Sequence, residues 1–179
     1  VLRSRAAAAA DCAAVARLRA AGAIIFGRSN MVEFAYSGVG INPHYGTPRN
    51  VWGREPDGNG RVPGGSTSGG GVAVADGMAI AALGSDTGGS VRIPAALNGI
   101  VGFKPTAVRV PVTDAVPLSF SLDSVGPLAN SVDCCARIDA VLCGESTPIA
   151  NTGLRGKRFL KPAATIWKDL DPDVEHAGN

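Results

Sequence analysis

Gly64-Gly65-Ser66-Thr67-Ser68-Gly69-Gly70, followed by Asp86-Thr87-Gly88-Gly89-Ser90-Val91-Arg92-Ile93-Pro94, is the stretch on which the reading of this chain turns. Two serines, 24 positions apart (90 − 66), each sit in a glycine-rich turn, and a run of small and apolar residues joins them. A serine flanked by glycine can be approached closely, because no neighbouring Cβ stands in the way. Two such serines around one short buried segment read as a nucleophile and its proton-transfer partner. Ser90 has the company a nucleophile needs. The backbone N–H groups of Thr87, Gly88, Gly89 and Ser90 can converge on one point and form an oxyanion hole. Its hydroxyl still needs a neighbour to take the proton, and Ser66 is the neighbour the chain offers.

Working outward, the segments on either side alternate between helix and strand. Asp11 followed by Ala14, Val15, Leu18 and Gly22 reads as a capped helix with a C-terminal glycine, and Ala23–Gly27 as a short buried strand. Residues 38–63 hold Gly, Pro and Asn with little periodicity and read as a long loop, a length that usually serves a site. Gly69–Met78 reads as a helix, Ala79–Leu83 as the strand that delivers the second serine loop, Pro94–Asn98 as a helical turn, and Gly99–Phe103 as another strand. A less regular stretch follows. Ser131 then caps a helix that places Cys135, Ile138 and Leu142 on one side and closes at Gly144. Alternation of this kind predicts an α/β layered fold.

Composition narrows the class. The chain has 179 residues, 45% of them hydrophobic and 18% charged, enough for one domain with a real core. Its 24 glycines cluster at 58–71 and 84–102, which favours loops approaching a ligand over low complexity. A formal net charge of +2 without a basic run speaks against nucleic acid, and the apolar runs are too short to span a bilayer. Cys12, Cys134, Cys135 and Cys143 include no C-x-x-C pair and have no histidine nearby, so neither zinc nor any other metal is expected. Reduced thiols suggest the cytoplasm. Val1 is not an initiator methionine, and only seven residues follow Pro172 in the helix start at Asp171-Pro172. The chain reads as an internal piece, a single partial domain over 1–179 with both ends cut.

Other hydrolase designs fit poorly. The P-loop pattern and a G-x-G-x-x-G after a strand are both absent. Neither serine lies in G-x-S-x-G, and the two histidines, His44 and His176, read as a packing residue and a solvated one. Asp86 and Arg92, flanking the nucleophile turn with opposite charge, read as an ion pair or hydrogen bonds that hold the loop. Ser68 reads as a support for Ser66, and Glu33 and Asp123 as structural.

The stretch from Pro63 to Thr106 resembles the amidase signature family, whose hallmark is a Ser–Ser–Lys triad. The resemblance extends to Gly27-Arg28-Ser29-Asn30-Met31-Val32-Glu33-Phe34, which is similar to the family's Gly-Lys-Thr-Asn-Met-x-Glu-Phe. It also takes in Asn42–Asn50, Gly102-Phe103-Lys104-Pro105-Thr106 and Leu122-Asp123-Ser124-Val125-Gly126-Pro127. It implies a mixed central sheet between helices, a cis peptide at Gly65–Ser66, Ser90 as nucleophile and Ser66 as proton relay. It further implies oxyanion donors at Thr87, Gly88 and Gly89, no cofactor, and a small-molecule amide as substrate. The assembly expected is a homodimer. The family's base is a desolvated lysine well upstream of the first serine. Here the first 103 residues hold no lysine, and Lys104, Lys157, Lys161 and Lys168 do not fall at that place. The expectation is therefore amide hydrolysis with the lysine supplied from outside this chain. The alternatives are the glutaminase subunit of a tRNA-dependent amidotransferase and an inactive fragment that only binds ligands.

Overall fold

The computed structural model describes residues 6–145, 153–160 and 168–178, which fall into two units, Val1–Ile149 and Ala150–Asn179. Lys161 lies outside the described residues.

The first unit is built around a strand that the sequence reads as irregular. Strand β3 (Ser124–Ala129) is buried along its whole length and lies between β1 (Ala81–Asp86) and β2 (Val101–Gly102). Both pairings are antiparallel, with Ala81 opposite Ala129, Asp86 opposite Ser124, and Val101 opposite Ala129. The α/β class is as expected, and the parallel pairs of a mixed sheet are not among the described residues. Gly126-Pro127 in the middle of β3 runs against strand composition. Gly126 is needed there because a Cβ would run into the Phe103 carbonyl oxygen. Pro127 contributes its carbonyl, which accepts from Phe103 N–H at 3.0 Å.

Side chains two residues apart share a face of a strand, so Val125 and Leu128 point to opposite sides of the sheet. Val125 packs with Ala14, Val110 and Leu142, which brings helices α1 (Ala13–Ala20) and α4 (Val132–Cys143) to one face. Leu128 packs with Val91 and Ala95, on and just before α3 (Arg92–Asn98), on the other face, where α2 (Ser68–Ala75) also lies. The result is helix on sheet on helix. Replacing the fully buried Leu128 by alanine is expected to destabilise the chain by about 2–5 kcal/mol in chemical denaturation, since both flanking strands fix the cavity walls.

The helix ends follow local chemistry. Ser131 Oγ accepts from Cys134 N–H at 3.1 Å, and Gly144 closes α4 at φ +80°. Helix α1 departs from expectation at its start. Cys12 is its N-cap, and the Asp11 carboxylate accepts from Arg19 Nε at 2.6 Å instead of from the helix. Residues 23–27 are not a strand. Ile24 is 88% exposed and Phe26 73%, and no strand among the described residues lies alongside to take their N–H and C=O groups. All four cysteines are free thiols, with Cys135 buried and the others half-buried. No helix among the described residues is long and apolar enough to cross a membrane. The second unit contains helix α5 (Pro172–Gly178), with Asp171 Oδ1 accepting from Asp173 N–H at 3.0 Å at its start.

Candidate active site

Strand β1 ends at Asp86, whose side chain is wholly buried at the mouth of the second glycine turn. That carboxylate accepts the N–H groups of Gly89 at 2.8 Å, Val91 at 3.1 Å and Arg92 at 3.3 Å. It also accepts Arg92 Nε at 3.0 Å and Nη2 at 2.9 Å. Burial alone would raise its pKa, but the Arg92 guanidinium and the backbone donors prevail and hold it below the usual value. One carboxylate thus folds residues 87–91 around itself and sets the first turn of α3. Gly89 takes φ +136°, which favours glycine. Ser90, 8% exposed, sits at the end of this turn. Gly89, expected as an oxyanion donor, gives its N–H to Asp86. The N–H groups of Gly88 and Ser90 donate to no acceptor among the described residues.

The first glycine turn is held from the opposite side by residues 30–39. Gly64 N–H donates to the Val39 carbonyl at 3.1 Å, Gly65 N–H to Gly38 at 2.8 Å, and Val32 N–H to the Ser66 carbonyl at 3.0 Å. At Gly65 a Cβ would stand 2.6 Å from the Ser37 carbonyl oxygen, so this approach requires glycine. The Gly65–Ser66 peptide bond is cis. Ser68, fully buried in the first turn of α2, donates its hydroxyl to Asn30 Oδ1 at 3.2 Å, while Gly69 N–H donates to the Asn30 carbonyl at 2.8 Å. The two glycine turns are joined directly, because Thr67 N–H donates to the Ser90 carbonyl at 3.2 Å.

Ser66 is 1% exposed, and its Oγ has no hydrogen-bond partner among the described residues. Leaving a buried hydroxyl unpaired costs about 1–3 kcal/mol, so a fold that keeps it has another reason to. Lys104 does not fill the gap. Its ammonium donates to the Pro105 carbonyl at 2.8 Å and to Ser124 Oγ at 3.4 Å.

One contact was not legible from sequence. The Thr87 hydroxyl donates to Asp123 Oδ1, while Asp123 Oδ2 accepts from Leu118 N–H at 2.8 Å and Ser119 N–H at 3.0 Å. Burial pushes the Asp123 pKa up, and these three donors together bring it below the usual value. Asp123 lies 36 positions beyond Thr87, and no periodicity links them. Glu33 pairs with His44 at 3.3 Å on the surface.

This geometry has relatives. The sequence profile of the family named Amidase matches residues 2–159. The 2-amino-5-chloromuconic acid deaminase of Comamonas testosteroni is 45% identical over 166 residues, covering 91% of this chain and 35% of the relative. A glutamyl-tRNA(Gln) amidotransferase subunit of Symbiobacterium thermophilum is 43% identical, covering 92% of this chain and 36% of the relative. Among solved structures, an amidase superposes with TM-score 0.73 at 47% identity, over 79% of this chain and 32% of that one. The native peptide amidase of Stenotrophomonas maltophilia superposes with TM-score 0.67 at 39% identity, over 76% and 28%. The chain spans about a third of the length of the curated relatives it matches. With two serine turns bonded to each other and a profile match over most of its length, the chain belongs to the Amidase family.

Proposed function

We propose that these residues form the serine half of an amide hydrolase that works through an acyl-enzyme. Ser90 Oγ attacks the carboxamide carbon, and its proton passes through the Ser66 hydroxyl to a lysine amine. That lysine is supplied by polypeptide outside these 179 residues. The N–H groups of Gly88 and Ser90 receive the oxyanion. Collapse breaks the C–N bond, the leaving ammonia or amine takes the proton back, and an ester on Ser90 remains. Water then attacks that ester, Ser66 and the lysine take the water proton, and the acid leaves as Ser90 recovers its hydrogen. The substrate is a small-molecule amide, and no metal or organic cofactor takes part in these steps.

The observation that carries this reading is the Ser66 hydroxyl, buried, tied through the next residue to Ser90, and without a hydrogen-bond partner among the described residues. A relay accepts a proton from one partner and donates to another, and among the described residues no other group occupies the Ser66 hydroxyl.

The test separates a relay from a structural serine. In the natural polypeptide that carries these residues, Ser66→Ala is expected to lower kcat by about 10²- to 10⁴-fold. The unfolding midpoint should hold, because none of the hydrogen bonds that shape the two turns among the described residues uses that hydroxyl. Unchanged turnover together with a loss of stability would sink the reading.

A further inference from the structure

The turn that bears Ser90 has two flanks, and Asp86 reaches only one. Its carboxylate holds Gly89, Val91 and Arg92. The Thr87–Gly88 side has no such grip, and a Cβ placed on Gly88 would meet nothing within 4 Å. Among the described residues, the side-chain tie on that flank is the Thr87 hydroxyl on Asp123. We propose that Asp123 is a positioning residue for the Ser90 turn, acting through the Thr87 hydroxyl to aim the Gly88 and Ser90 N–H groups. The inference rests on the acyl-enzyme reading above.

Asp123 is built for that task. Its second oxygen takes the N–H groups of Leu118 and Ser119, and its own N–H donates to the Ser119 carbonyl at 3.1 Å. The carboxylate is therefore anchored in a closed turn directly before β3, the central strand. A hydroxyl donating to an anchored carboxylate makes a charge-assisted bond, stronger and more directional than a neutral one. The N–H of Gly88 belongs to the peptide that follows Thr87, so fixing the Thr87 side chain limits how that peptide can rotate. An oxyanion donor works only when its aim is set before the charge develops. Two carboxylates then grip the turn from opposite flanks, Asp86 from within the fold and Asp123 from the 118–123 turn.

The experiment uses the natural polypeptide that carries these residues. Thr87→Val keeps the shape and removes the hydroxyl, leaving the 118–123 turn with both its N–H bonds. It is expected to lower kcat about 10- to 100-fold, with KM and the unfolding midpoint unchanged. Thr87→Ser should restore turnover. Asp123→Asn and Thr87→Val combined should be no worse than the larger single effect, because both break one contact. A Thr87→Val variant with wild-type kcat, or two effects that simply multiply, overturns the proposal. Ser90→Ala separates the two failures. If it is inactive while Thr87→Val is normal, this inference falls alone. If Ser90→Ala still turns over, the acyl-enzyme reading falls and takes this inference with it.

Discussion

Replacing Ser90 by alanine is expected to lower turnover of an amide by about a millionfold while leaving the fold intact. The turn that carries Ser90 owes its shape to other atoms. Asp86 binds the N–H groups on either side of it, and the Ser90 carbonyl, which alanine keeps, accepts from Thr67. The hydroxyl is therefore dispensable to the structure and, in the proposed mechanism, indispensable to the reaction. The comparison with Ser66→Ala is informative, because residues that act as one unit lose little more together than singly. A Ser66→Ala, Ser90→Ala double variant should match Ser90→Ala alone. Steady-state assay of ammonia or amine release gives the rate, and thermal unfolding gives the control.

Asp86→Ala is expected to remove about 2–6 kcal/mol of stability, about 1–3 kcal/mol for each of two orphaned buried N–H groups, and most of the activity with it. Arg92 has about half of its side chain in water and can re-solvate when the carboxylate goes. The loss falls mainly on the N–H groups of Gly89 and Val91, both in buried residues, which have no second acceptor. Asp86→Asn keeps one acceptor oxygen and should fall between. The pH dependence has a definite sign. Because the folded pKa of Asp86 lies below its usual value of 3.8, its contribution is complete above that value. It is lost as pH falls through the lower folded pKa. The stability gap between wild type and Asp86→Ala should therefore be flat at neutral pH and narrow only in strong acid. Denaturant titrations at several pH values measure that gap.

What sequence made legible was whatever local chemistry decides. Ser131 and Gly144 bound α4 because a hydroxyl cap and a left-handed glycine act within one turn of the helix. The glycine turns were legible for the same reason, and so was the Asp86–Arg92 pair six residues apart. Elements decided by partners were not. Gly126-Pro127 falls in a stretch that reads as irregular, yet it lies in the central strand, because Phe103 needs space at one residue and a carbonyl at the next. Ala23–Gly27 has a strand's composition and, among the described residues, no strand beside it. The Asp123–Thr87 contact joins segments that only the β1–β3 pairing brings together. Whether the Gly89 N–H faces a substrate or Asp86 depends on one backbone rotation, which composition does not encode.

Covalent labelling shows whether Ser90 is the nucleophile. The natural polypeptide is treated with a fluorophosphonate, digested, and mapped by mass across residues 72–104. One adduct is expected, on Ser90, that disappears in Ser90→Ala and is strongly slowed in Ser66→Ala. An adduct on any other residue, or labelling that survives Ser90→Ala, would contradict it.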